Sequence, residues 1–134
     1  MKAVFADTGF FLALINSRDA YHRQAAILNA TLEAPLVTTE WVLLELANAL
    51  SASRSRLRFG QVLDSLRVAP NVEIVAADTA TFDRGCRHYL DRPDKEWSLT
   101  DYISFIVMSE RGLSDALTAD HHFAQAGFRP LLTM

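Results

Sequence analysis

Short apolar segments rich in β-formers alternate along the chain with longer stretches in which apolar residues recur at helical spacing. KAVFA (2–6) predicts a buried strand, and FFLALI behind it a helix capped by Asp7 or Thr8. Tyr21, Ala25, Leu28 and Leu32 set the face of a second helix running from Asp19 to Glu33. Pro35 then breaks the chain, and the β-branched LVTT (36–39) predicts a second strand. TEWVLLELANALSA predicts a long helix opened by a Thr cap, SRSRLR a polar, basic connection, and FGQVLDSLRVA a helix that stops before Pro70. VEIVAA (72–77) predicts a third strand, and DTATFDRGCRHYLD a helix capped by Asp78. RPDKEW reads as a loop, and SLTDYISFIVMSERG as a helix opened by Ser98 with Asp101 three residues on, an S-x-x-D capping box. DALTA (115–119) and RPLLT (129–133) predict short closing strands on either side of HHFAQAGF. This alternation argues for an α/β fold with a parallel sheet, and no internal repeat or linker divides the 134 residues, so one domain is expected.

Composition narrows the class without naming a function. Half of the residues are hydrophobic and 22% are charged, which is ordinary for a globular chain and too apolar for a disordered one. A net charge of −3 does not advertise nucleic acid. The lone cysteine, Cys86, excludes an internal disulfide, fits a reducing compartment and reads as a small buried hydrophobe. Lys2 with FFLALI faintly imitates a signal peptide, but Asp7 interrupts the apolar run and Arg18 and Asp19 follow it. WVLLELANAL contains Glu45 and is too short to span a bilayer, so a cytoplasmic protein without a membrane segment is expected.

The candidate chemistry lies in four acids. Asp7 ends the first strand and Asp120 follows the fourth, so both fall where ligands bind in open α/β sheets, beyond the carboxyl ends of the strands. Asp101 begins the helix leading into that fourth strand, and Glu45 is the single charge within WVLLELANAL. Taken one at a time each has a plain explanation: Asp7 and Asp120 as N-caps, Asp101 as the capping-box acid, Glu45 as part of a solvated face with Trp41, Asn48 and Ala49. Gathered at one crevice they would repel each other by about 4 kcal/mol per pair at about 4 Å in an effective dielectric of about 20. No Lys or Arg adjoins any of them in sequence. Hard divalent cations such as Mg²⁺ or Mn²⁺ are the ligands that need such a cluster.

DTGFFLAL, TTEWVLLELANAL, SLTDYISFIVM and ALTADHHFAQAGF, in this order over essentially the whole chain, resemble the PIN-domain ribonucleases, most of all the VapC-type toxins of bacterial toxin–antitoxin modules. The S-x-x-D block and the T-x-D-x-x-F block near the C-terminus are the more specific parts. The resemblance implies a three-layer sandwich with a central, mostly parallel sheet of four to five short strands. It implies a metal-dependent endoribonuclease in which Asp7, Glu45, Asp101 and Asp120 form an acidic quartet holding Mg²⁺ or Mn²⁺. Asp7 and Asp101 would bind metal most directly, Asp120 would complete the site, and Glu45 would hold the attacking water. Thr8 and Ser98 would orient carboxylates through their hydroxyls. It further implies a homodimer neutralised by a cognate antitoxin protein. Asp115, just before the last predicted strand pair, departs from the pattern and reads as a loop or cap residue.

The remaining candidates are weaker. Arg54, Arg56 and Arg58 form a basic run suited either to an RNA backbone or to a solvated loop. His121 and His122 are adjacent, and adjacent helical side chains point about 100° apart, so a shared zinc ion is not expected. His22 and His88 read as surface or capping residues, and Trp41 and Trp97 as packing residues that are also able to stack on bases. Apolar residues of FFLALI and of the 20–32 helix either fill the core or line a groove for an antitoxin helix. Two other functions compete: a non-catalytic RNA- or protein-binding module, and a phosphohydrolase using Asp7 as nucleophile. The latter chemistry usually places a second Asp two residues on, where this chain has Gly9.

Overall fold

The computed structural model describes residues 2–134. Five strands, β1 (Val4–Ala6), β2 (Leu36–Thr39), β3 (Val72–Val75), β4 (Asp115–Leu117) and β5 (Arg129–Pro130), pair in the order β3-β2-β1-β4-β5. Every pairing is parallel. Parallel neighbours need a crossover, and here the crossovers carry seven helices: α1 (Thr8–Ile15), α2 (His22–Thr31), α3 (Glu40–Ala49), α4 (Ser53–Val68), α5 (Thr79–Asp91), α6 (Leu99–Glu110) and α7 (His121–Gln125). The chain winds outward from β1 through β2 to β3, then crosses back to place β4 on the other side of β1. The sheet therefore reverses its winding between β1 and β4, and the carboxyl ends of those two strands open a crevice there.

The core gathers around that junction. Phe5, Phe10, Val42, Leu46, Met108, Leu117 and Phe123 are almost fully buried. Each such side chain contributes about 1.5–3 kcal/mol relative to an exposed one. Residues from Asp101 to Met108 are buried without interruption, so α6 runs through the interior rather than over the surface. Gly85 explains how α5 packs against it: a Cβ there would lie 2.7 Å from Ile103 Cγ1. At its other end α6 closes in a Schellman turn, with Gly112 at φ +65°. The Leu113 N–H donates to the Met108 carbonyl at 2.9 Å and the Gly112 N–H to that of Ser109 at 3.2 Å, which aims the chain into β4.

Several element boundaries differ from the sequence reading. SRSRLR is not a connection: it forms the first turns of α4, because nothing in it breaks a helix and the break falls earlier, at residues 50–52. The second helix begins at His22 rather than Asp19, since Asp19 accepts a hydrogen bond from the Tyr21 N–H and holds a turn. The last strand is two residues long: the Leu131 N–H still donates to the Ala116 carbonyl in the ladder, but the Leu132 N–H turns out of it to the Thr118 carbonyl. Cys86 is half-buried rather than buried. Among the described residues no helix is long and apolar enough to cross a membrane.

Candidate functional site

Because β1 pairs with β4 in the register Ala6↔Leu117, the residues that follow these strands, Asp7 and Thr118–Asp120, emerge side by side. Asp7 stands at the N-cap of α1, yet its side chain makes no capping hydrogen bond. Its Oδ2 instead accepts the Thr118 hydroxyl at 2.9 Å. The capping explanation for Asp7 therefore loses its bond, while the acid stays buried at 7% exposure. Burial pushes its pKa up to about 7, opposed by the Thr8 backbone N–H and the Thr118 hydroxyl and reinforced by the charges of Asp101 and Glu45. Asp101 is displaced upward as well, first by burial and then by Asp120.

The other acids reach the crevice from separate elements. Glu45 comes from α3, its Oε1 accepting the Thr8 hydroxyl at 2.6 Å. Asp101 completes the capping box of α6, its Oδ2 accepting the Ser98 N–H at 3.1 Å. The Ser98 hydroxyl accepts from the Asp101 N–H at 3.0 Å, so it is the Ser98 backbone, and not the expected hydroxyl, that holds the carboxylate. Asp120 caps α7, its Oδ1 accepting the His122 N–H at 2.9 Å. In each of the four carboxylates one oxygen is fixed in this way, and for Glu45, Asp101 and Asp120 no hydrogen bond among the described residues reaches the other. Held by one oxygen, each of these three keeps a second that is available to a ligand.

All four acids line one cavity of about 460 Å³, together with Asp19 and Glu96, and no Lys or Arg lines it. Six acids facing a space without a fixed cation are the arrangement that a divalent ion relieves. Four contributors have no role in the sequence reading. Thr118, almost fully buried, donates to Asp7 and accepts from the Asp120 N–H at 3.1 Å, tying two of the acids together. His122 puts its Nδ1 3.2 Å from Asp101 Oδ2 and 3.4 Å from Asp120 Oδ1. Asp19 and Glu96 add charge at the rim from loops. The T-x-D spacing was the one signal for Thr118; nothing local marks Asp19 or Glu96.

Other candidates lie elsewhere. Asp115 begins β4, at the end of that strand away from the crevice, and pairs with Arg129 at 2.7 Å, which holds its pKa below the usual range. The three arginines sit on α4 outside the acidic cavity: Arg56 donates to the Ser51 carbonyl and Arg58 to that of Ile15. His22 is a tie between helices, its Nδ1 2.7 Å from the Ala13 carbonyl. His88 stacks on Tyr102, and Trp97 packs on Tyr102 and Phe105 while donating to Gln125. A second cavity, of about 660 Å³, is lined chiefly by apolar residues of α1, α2 and α4, among them Phe11, Leu14, Leu28 and Leu66.

A parallel five-stranded sheet flanked by helices, with a carboxylate crevice at its switch point, is a nuclease type of fold. Residues 4–129 match the PIN domain, and the chain belongs to that family. It is 32% identical over 126 residues to the 23S rRNA-specific endonuclease VapC20 of Mycobacterium tuberculosis, covering 93% of this chain and 95% of the relative. The crystal structure of that protein, described as a sarcin–ricin loop cleaving toxin, superposes with a TM-score of 0.82 over 93% of this chain and 95% of the other. VapBC from Salmonella typhimurium, solved bound to DNA, shares the fold at a TM-score of 0.64, 18% identity and 97% coverage of both chains.

Proposed function

We propose that residues 1–134 form a single-domain, Mg²⁺- or Mn²⁺-dependent endoribonuclease acting in the cytoplasm as the toxin of a toxin–antitoxin pair. The observation that carries this reading is the set of four carboxylates, each anchored by one oxygen and lining the same crevice. An all-oxygen donor set without a neighbouring Lys or Arg fits a hard divalent ion, with Asp7, Asp101 and Asp120 holding it. When bound, such an ion lowers the pKa of water and neutralises charge on a phosphodiester. Glu45, fixed by the Thr8 hydroxyl, orients the attacking water through its other oxygen and takes its proton. The oxygen of that water bonds to phosphorus and the bond to the 3′ oxygen breaks, giving a 5′-phosphate and a 3′-hydroxyl.

The full-length similarity to an rRNA-cleaving relative makes the large ribosomal RNA the first substrate to offer. RNA running past the crevice would meet Arg54, Arg56 and Arg58 at the start of α4. The apolar cavity between α1, α2 and α4 is the seat we assign to an antitoxin helix, and the exposed Phe82, Tyr89 and Leu90 of α5 fit a homodimer contact. The test is cleavage of 23S rRNA by wild type, Asp7→Asn and Asp101→Asn, with Mn²⁺ and with chelator. Cleavage should require both the metal and both acids. Full activity in either variant, or in chelator, refutes the assignment.

A further inference from the structure

At the rim of the acidic crevice, Asp120, His121 and His122 each offer one donor atom, and these atoms all lie within 4.8 Å of one another. The two imidazole rings lean together, with centroids 4.4 Å apart. The rings do not diverge as they would inside a regular helix, because the residues open a helix of only five residues and both rings turn toward the Asp120 carboxylate. His121 Nδ1 lies 3.8 Å from Asp120 Oδ1, and His122 Nδ1 lies 3.4 Å from the same oxygen. Metal–donor bonds of about 2.0–2.2 Å place neighbouring ligands on one ion roughly 3.0–3.5 Å apart. The Asp120–His122 separation already has that value, and the His121 side chain, 75% exposed, has room to close the rest.

The donor chemistry differs from that of the carboxylate quartet. Two imidazoles and one carboxylate favour borderline transition metals such as Zn²⁺, Ni²⁺ and Co²⁺, whereas Mg²⁺ prefers oxygen alone. We propose that Asp120, His121 and His122 bind one borderline transition-metal ion, with Zn²⁺ as its representative, at the rim of the crevice. Three protein ligands leave a fourth position of a tetrahedral ion to water. An ion seated there engages Asp120 and withdraws it from the crevice, so Zn²⁺ inhibits RNA cleavage. That inhibition rests on the role proposed above for Asp120; the binding itself does not.

The test uses tag-free, chelator-treated protein, titrated calorimetrically with Zn²⁺ alone. Wild type and Asp7→Asn should each bind one ion per chain, and His121→Ala should bind it roughly tenfold more weakly or worse. His121 is exposed and lines neither cavity, so this variant keeps its fold and should show the wild-type melting shift with Mn²⁺. His122→Ala should lose Zn²⁺ in parallel. Equal Zn²⁺ affinity in wild type and His121→Ala overturns the proposal. Loss of Zn²⁺ in Asp7→Asn also overturns it, since the ion would then sit among the four acids. RNA cleavage by Asp7→Asn would instead refute the nuclease reading and leave the zinc result standing.

Discussion

Replacing Asp7 by Asn in the metal-free protein removes a charge that the fold holds out of water. The folded state keeps the Asp7 proton up to about pH 7, whereas an ordinary aspartate releases it near 3.8. Between those values the unfolded chain binds fewer protons than the folded one, so the stability contributed by this group falls as pH rises. The interval is roughly three pKa units, which corresponds to about 4 kcal/mol as a ceiling. Asn cannot ionise, and its carbonyl can still accept the Thr118 hydroxyl. Asp7→Asn should therefore match wild type near pH 4 and exceed it progressively up to pH 7, with a constant advantage above that. Urea unfolding in chelator across this pH range measures the difference. Adding Mn²⁺ should restore wild type, by about 2.7 kcal/mol at a hundredfold excess over Kd, and leave the variant unchanged. A variant less stable than wild type at pH 8 without metal, or a gap independent of pH, would refute the reasoning.

Thr8→Val keeps the shape of the side chain but removes the donor to Glu45; rRNA cleavage should fall about 10- to 100-fold while the Mn²⁺ melting shift persists. Gly85→Ala forces a methyl against Ile103 and should lower stability by about 1–3 kcal/mol in chemical denaturation, with cleavage per folded molecule unchanged. Leu28→Glu, in the wall of the apolar cavity, should abolish capture of the cognate antitoxin in a co-purification assay and leave RNA cleavage intact.

The order of elements was legible because each strand is short, apolar and bounded, and because the helices carry explicit caps at Thr39, Asp78 and Ser98. The start of α4 was misread because a run of Ser and Arg looks like a loop in composition, although neither residue type breaks a helix. Asp7, Asp101 and Asp120 could be placed from the sheet rule, since they follow strands or open a helix next to them. Glu45 was legible as an isolated charge, but its bond to Thr8 joins residues 37 positions apart, and no local pattern encodes that. Asp19, Glu96 and the ring of His122 enter the crevice through loop paths and side-chain rotamers, which periodicity does not carry. The spacing rule describes regular helix interiors, whereas His121 and His122 open a helix barely longer than one turn, where their rings lean together.

The bond between Asp7 and Thr118 links positions 111 residues apart. A chain still being synthesised can fold α1, β2 and α3 long before Thr118 and Asp120 exist. Until β4 slots in beside β1, Asp7 lacks the hydroxyl that fixes it, and the crevice lacks Asp120. The crevice is thus completed last: on the function proposed for it, an unfinished copy is disarmed by its own topology, and chain termination anywhere before Thr118 yields a fragment without it.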